Sequence, residues 1–135
     1  MPKEIFAARL ENLARICEFV TTVSRETGFD EADTYSIELA TNEACTNIIE
    51  YAYGEGMEGR IECSIEVDEK GVTIVLRDWG RPFDASEIPE KNFDVPLEEL
   101  GARGAGLRLL RGAVDEVVFE PLPGEGNRLT IKKFR

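Results

Sequence analysis

What most constrains this chain is a change of hydrophobic period about halfway along it. Leu10, Leu13, Cys17, Val20 and Val23 recur at helical spacing, and Ile37, Ala40, Ala44, Ile48 and Tyr51 form a second helical stripe. From Ile61 the period falls to two, with Ile61, Cys63, Ile65 and Val67 alternating with polar residues. Helices gathered early and strands gathered late predict an α+β fold: a two-layer sandwich with helices packed on one face of a mixed β-sheet.

The boundaries follow from local chemistry. KEIFA near the start is short enough for an edge strand, helix one spans about 8–27, and Gly28 supplies its C-terminal cap. Asp30 is placed to cap helix two, which runs to about 53, where Gly54 ends it. The DEKG turn joins the first alternating run to GVTIVLRD as an antiparallel hairpin. Trp79 to Gly106 is rich in Gly, Pro and charge and too long for a mere connector, which makes it a candidate lid or binding loop. Leu107, Leu110 and Val114 restart a helical period, VDEVVFE reads as a strand, PGEG as a turn and NRLTIKKF as the last strand. With 135 residues, 42% of them hydrophobic, residues 1–135 are expected to form one domain with its own core.

Charge and composition exclude several functions. A net charge of −11 leaves no basic surface for nucleic acid. With no histidine, the chain holds no phospho-accepting histidine, no Ser-His-Asp triad and no histidine metal site. Cys17, Cys45 and Cys63 read as buried thiols, and no stretch has the apolar length of a signal peptide or membrane span, so a soluble cytoplasmic protein is expected.

Three short stretches could carry chemistry. Glu43 and Asn47 lie one helical turn apart beside the apolar stripe, at its rim. They are either a solvated pair or a proton acceptor next to an oxygen ligand for a hard cation. In RDWGRPFD, Asp78 closes a strand just before Gly80. It is either a turn residue or an acceptor for an exocyclic amine, with Gly80 letting a flat ring approach the backbone. In GARGAGLRLL, Gly101, Gly104 and Gly106 open an apolar helix. They either cap that helix within a loop or leave backbone N–H groups converging on a phosphate, and Arg103 is either solvated or a phosphate contact. A Walker loop and a dinucleotide fingerprint are both excluded by the spacing.

Taken in order, these stretches resemble the Bergerat-type ATP-binding fold of histidine kinases, type II topoisomerases and heat-shock chaperones. EACTN (43–47), RDWGRPFD (77–84), GARGAGLRLL (101–110) and GNRLTIKK (126–133) are most similar to the bacterial anti-sigma-factor serine kinases. The resemblance implies a serine protein kinase that binds ATP and Mg²⁺. Glu43 would be the general base on the substrate serine, and Asn47 would bind Mg²⁺. Asp78 would read the adenine amino group and Gly80 would make room for the ring. Gly101, Arg103, Gly104, Ala105, Gly106 and Leu107 would form the phosphate side. It also implies a sigma factor and an anti-anti-sigma antagonist as partners, and a homodimer. The family often carries a threonine after the glycine that precedes the last strand, where this chain has Asn127. Two other readings compete: an ATP-responsive binding switch with little kinase activity, and the catalytic piece of a histidine kinase acting on a histidine in another chain.

Overall fold

The computed structural model describes residues 2–54, 58–83 and 114–135. Strand β1 (Lys3–Ala7) leads through a 3₁₀ turn at Leu10–Asn12 into helix α1 (Leu13–Glu26), then helix α2 (Glu31–Asn47). Strands β2 (Arg60–Val67), β3 (Gly71–Asp78), β4 (Glu116–Leu122) and β5 (Gly126–Phe134) follow. Helix one therefore starts later than its spacing suggested, and Leu10 is left outside it, 60% exposed.

The ends form as the local chemistry requires. Gly28 takes φ +95°, and Asp30 accepts a hydrogen bond from the Asp33 N–H at 2.8 Å, capping α2. Asp68 Oδ1 accepts from the N–H groups of Lys70 and Gly71, which closes the β2–β3 hairpin. Past Asn47 the helical backbone widens into a π-helical stretch, Ile48–Tyr53, that ends at Gly54 with φ +72°. Apolar spacing cannot distinguish such a stretch from α-helix.

The strand order is β1-β2-β3-β5-β4, and every pairing among the described residues is antiparallel. The α+β sandwich stands, while the expected mixed sheet gives way to an antiparallel one. The reason is the final hairpin: β5 inserts beside β3, so β4 runs in the same direction as β3 but is never its neighbour. Ile61, Cys63, Ile65, Ile74, Leu76, Leu129 and Ile131 form the inner face and pack with Ile16, Val20, Ile37, Ala40, Ala44 and Ile48 of the helical layer. Ile5, Val118 and Phe134 point to the opposite face and stay exposed.

Registry carries one polar pair into this core. The row Phe6–Ile61–Asp78–Asn127–Pro121 crosses all five strands at the end of the sheet. Asp78 is 0% exposed and Asn127 3%, where the neighbouring rows hold Leu76 with Leu129 and Ile74 with Ile131.

Candidate functional site

The π-helical stretch that follows α2 meets the residues just past β3 at Ala52. The Arg81 N–H donates to the Ala52 carbonyl at 2.7 Å, and a Cβ on Gly80 would lie 2.5 Å from that same oxygen. The glycine is thus demanded first by the protein's own backbone: residues 79–83 press directly onto the π-helical stretch. Gly80→Ala is expected to force the two apart and cost roughly 1–3 kcal/mol of stability, read as a lower urea midpoint with an unchanged slope. An unchanged midpoint would show that the seam yields freely.

Asp78 is held on one side only. Its Oδ1 accepts from the Gly80 N–H at 3.0 Å and from Asn127 Nδ2 at 2.9 Å, while its Oδ2 has no hydrogen-bond partner among the described residues. Burial pushes the carboxyl above the ordinary aspartate range, and the hydrogen bonds from Asn127 and Gly80 partly oppose that rise. A buried carboxylate oxygen without a donor is costly, and Oδ2 is left in that state among the described residues.

The backbone around Asp78 is fixed from several directions. Arg77 donates to the carbonyls of Asp78, Glu125 and Asn127 at 2.8–3.0 Å. Tyr53 Oη accepts from the Trp79 N–H at 2.9 Å and donates to the Arg60 carbonyl at 2.6 Å. Gly126, at φ +87°, lies so close to the Asp78 carbonyl that any Cβ would overlap it. Trp79 itself turns outward, 38% exposed, with the guanidiniums of Arg60 and Arg77 4.3 and 5.0 Å from its ring centroid.

The helix supplies the second pair. The buried positions of α2 run round an arc of about 160° from Asn47 to Cys45. Glu43 falls about 40° beyond it. Sequence spacing put both residues at the rim. The structure keeps Glu43 there, half-buried, and places Asn47 inside at 1% exposed, at the edge of an arc of buried positions wider than one apolar stripe. Asn47 Nδ2 has no partner among the described residues. Burial first, and then the charge of Glu50, hold the Glu43 carboxyl above the ordinary glutamate range and make it a stronger base.

Asp78 and Gly80 are therefore brought to the π-helical stretch that follows α2, and Glu43 and Asn47 occupy adjacent turns of α2 itself. Gly101, Arg103, Gly104, Ala105, Gly106 and Leu107, with the helix expected from Leu107, lie outside the described residues. Sequence reasoning missed Tyr53, Arg77 and Gly126, and saw Asn127 only as a departure. The one available signal was the glycine before the last strand; the bonds of Tyr53 and Arg77 depend on long-range registry. Among the described residues no cluster of three acidic, cysteine or histidine side chains could hold a metal ion, and no helix is long and apolar enough to cross a membrane.

Comparison with known proteins agrees with this fold. The family described as the histidine kinase-like ATPase domain matches residues 6–133. Serine-protein kinase RsbW of Bacillus cereus is 30% identical over 131 residues, covering 94% of this chain and 80% of the relative. RsbW of Halalkalibacterium halodurans is 30% identical over 119 residues, covering 85% and 71%. The crystal structure of the RsbU and RsbW domains of a Mycobacterium tuberculosis protein superposes with a TM-score of 0.68 at 16% identity, over 99% of this chain and 33% of that one. The histidine kinase domain of an Erythrobacter litoralis blue-light activated kinase gives 0.56 at 17% identity, over 92% and 59%. These two likenesses bear on the fold alone. A family model matched over residues 6–133 and relatives of this identity and coverage establish that the chain belongs to the histidine kinase-like ATPase family, among the RsbW-type serine-protein kinases.

Proposed function

We propose that the chain is an ATP-dependent serine protein kinase of the anti-sigma type, with its nucleotide held between the end of α2 and the end of β3. The observation that carries this reading is the unshared Oδ2 of Asp78: a fully buried acceptor, rigidly mounted, suits the exocyclic amine of adenine. Asn47 offers an oxygen to Mg²⁺ and an unspent Nδ2–H donor to a phosphate oxygen. Few protein ligands suffice, because Mg²⁺ takes most of its coordination from phosphate and water. When bound, the ion neutralises charge on the phosphates.

Glu43 is the base. As the serine Oγ bonds to the γ-phosphorus and ADP leaves, its carboxylate takes the serine proton. Burial, which raises its proton affinity, favours that transfer. The glycines at 101, 104 and 106, with Arg103, Ala105 and Leu107, complete the phosphate side in this reading. The partners are a sigma factor and the antagonist protein whose serine is phosphorylated, the working form is a homodimer in the cytoplasm, and neither nucleic acid nor membrane is engaged.

Asn47→Ala is expected to weaken Mg-dependent ATP binding by roughly tenfold or more, the loss of a hydrogen bond and a metal ligand, measured by calorimetry with and without Mg²⁺. Equal affinity in both proteins would remove Asn47 from the metal site. The binding-switch reading is separated by incubating the chain with γ-labelled ATP and a candidate antagonist. Label on an antagonist serine supports the kinase, and tight binding without label supports the switch.

A further inference from the structure

Asn127 makes no polar contact that looks outward. Its Nδ2 donates to Asp78 Oδ1 at 2.9 Å and to the Arg81 carbonyl at 3.0 Å, and its Oδ1 accepts from the Phe83 N–H at 2.8 Å. Both amide donors are spent inside the protein, and the oxygen accepts from the backbone of its own turn, at a residue only 3% exposed. Its amide therefore has no donor left for a base.

Its effect on Asp78 is specific. A carboxylate oxygen has two lone pairs. Those of Asp78 Oδ1 are taken by the Gly80 N–H and by Asn127, which leaves Oδ2 as the one oxygen on offer. Adenine presents a single amino donor beside a ring-nitrogen acceptor. Guanine presents a ring N–H and an amino group side by side, a pair that matches both oxygens of a carboxylate at once. A carboxylate with one oxygen filled cannot take that pair.

We propose that Asn127 is a specificity-determining residue: by occupying Oδ1 it makes Asp78 a one-oxygen acceptor that takes a 6-aminopurine and rejects the two-donor edge of guanine. Binding the Arg81 carbonyl and the Phe83 N–H at once, it also holds residues 81–83 against the aspartate, so the bias is built into the turn. Phe83 is anchored in turn by its ring, 5.8 Å from that of Tyr51. The inference rests on the adenine-nucleotide reading above and assigns it a residue that contacts no nucleotide.

The test is competitive calorimetry with ADP and GDP on the whole chain, wild type and Asn127→Leu, a substitution of similar volume that cannot hydrogen-bond. The wild type is expected to prefer ADP. In Asn127→Leu that preference falls by about tenfold or more, the value of one matched hydrogen bond. A residue that merely supports the fold would weaken both nucleotides alike, so an unchanged ADP-to-GDP ratio overturns the inference. If the leucine variant does not fold, Asn127→Ala, which has no polar side-chain atom to reach Oδ1, is read in the same way. A wild type that binds neither nucleotide defeats the underlying reading, whereas one that prefers ADP beside a variant of unchanged ratio defeats this inference alone.

Discussion

Asp78→Asn is expected to abolish useful ATP binding while leaving the protein folded, and to make the unliganded protein more stable at neutral pH. The asparagine keeps an oxygen where Oδ1 accepts from Gly80 and Asn127, so the anchoring of the turn survives. It puts an amide donor where Oδ2 stood, facing the amine it should accept. Losing a charged hydrogen bond and opposing two donors costs at least about 1.5–3 kcal/mol, roughly a 10- to 150-fold drop in affinity. The stability change has the opposite sign. The folded-state pKa of Asp78 lies above its unfolded value, so the share of wild-type stability linked to this one group is fully present below the ordinary aspartate range and is lost as pH rises through the folded pKa. The variant has no such loss. Its melting temperature should therefore exceed that of the wild type at pH 7, with the gap closing as the pH is lowered past the carboxylate range. A variant that binds ATP normally, or that melts lower at pH 7 than at acid pH relative to wild type, would contradict the assignment of Oδ2 as an unpaid buried acceptor.

The second large effect falls on transfer rather than binding. Glu43→Gln preserves size and hydrogen-bonding shape but cannot take a proton, and should slow phosphoryl transfer to serine by about 10²- to 10⁴-fold with ATP affinity nearly unchanged. Because burial and Glu50 raise the Glu43 pKa, the wild-type rate should fall on acidification at a pH above the ordinary glutamate range. Single-turnover rates across pH read both effects. A Glu43→Gln protein that transfers phosphate at the wild-type rate would remove Glu43 from the mechanism. A variant that loses ATP binding as well would make it a binding residue instead.

The division between what the sequence reveals and what it hides is physical. Period and capping are local properties, so both helices, the Asp30 cap, the DEKG hairpin and the last two strands could be read directly. Antiparallel pairing throughout depends on β5 sliding between β3 and β4, a choice of neighbour that no local pattern encodes. The π-helical stretch at Ile48–Tyr53 keeps the same apolar residues as an α-helix would, and only the close approach of Gly80 to Ala52 shows why it matters.

The site divides in the same way. Glu43, Asn47 and Asp78 announce themselves by residue type and order. Their environments do not: Asn47 is buried where the apolar stripe put it at the rim, and the spare oxygen of Asp78 depends on an asparagine 49 positions later in the chain. Gly80 is a case of the right residue with a further reason, since its missing side chain is needed against Ala52 whatever it also does for a ring.

Calorimetric titration of the purified chain with Mg-ATP, beside Asp78→Asn, addresses the central claim most directly. Trp79, the sole tryptophan and the residue between Asp78 and Gly80, provides a parallel fluorescence signal. The account predicts saturable one-to-one heat with a matching change in Trp79 emission in the wild type, and neither in the variant. Absence of heat from the wild type, or equal heat from both proteins, would contradict it.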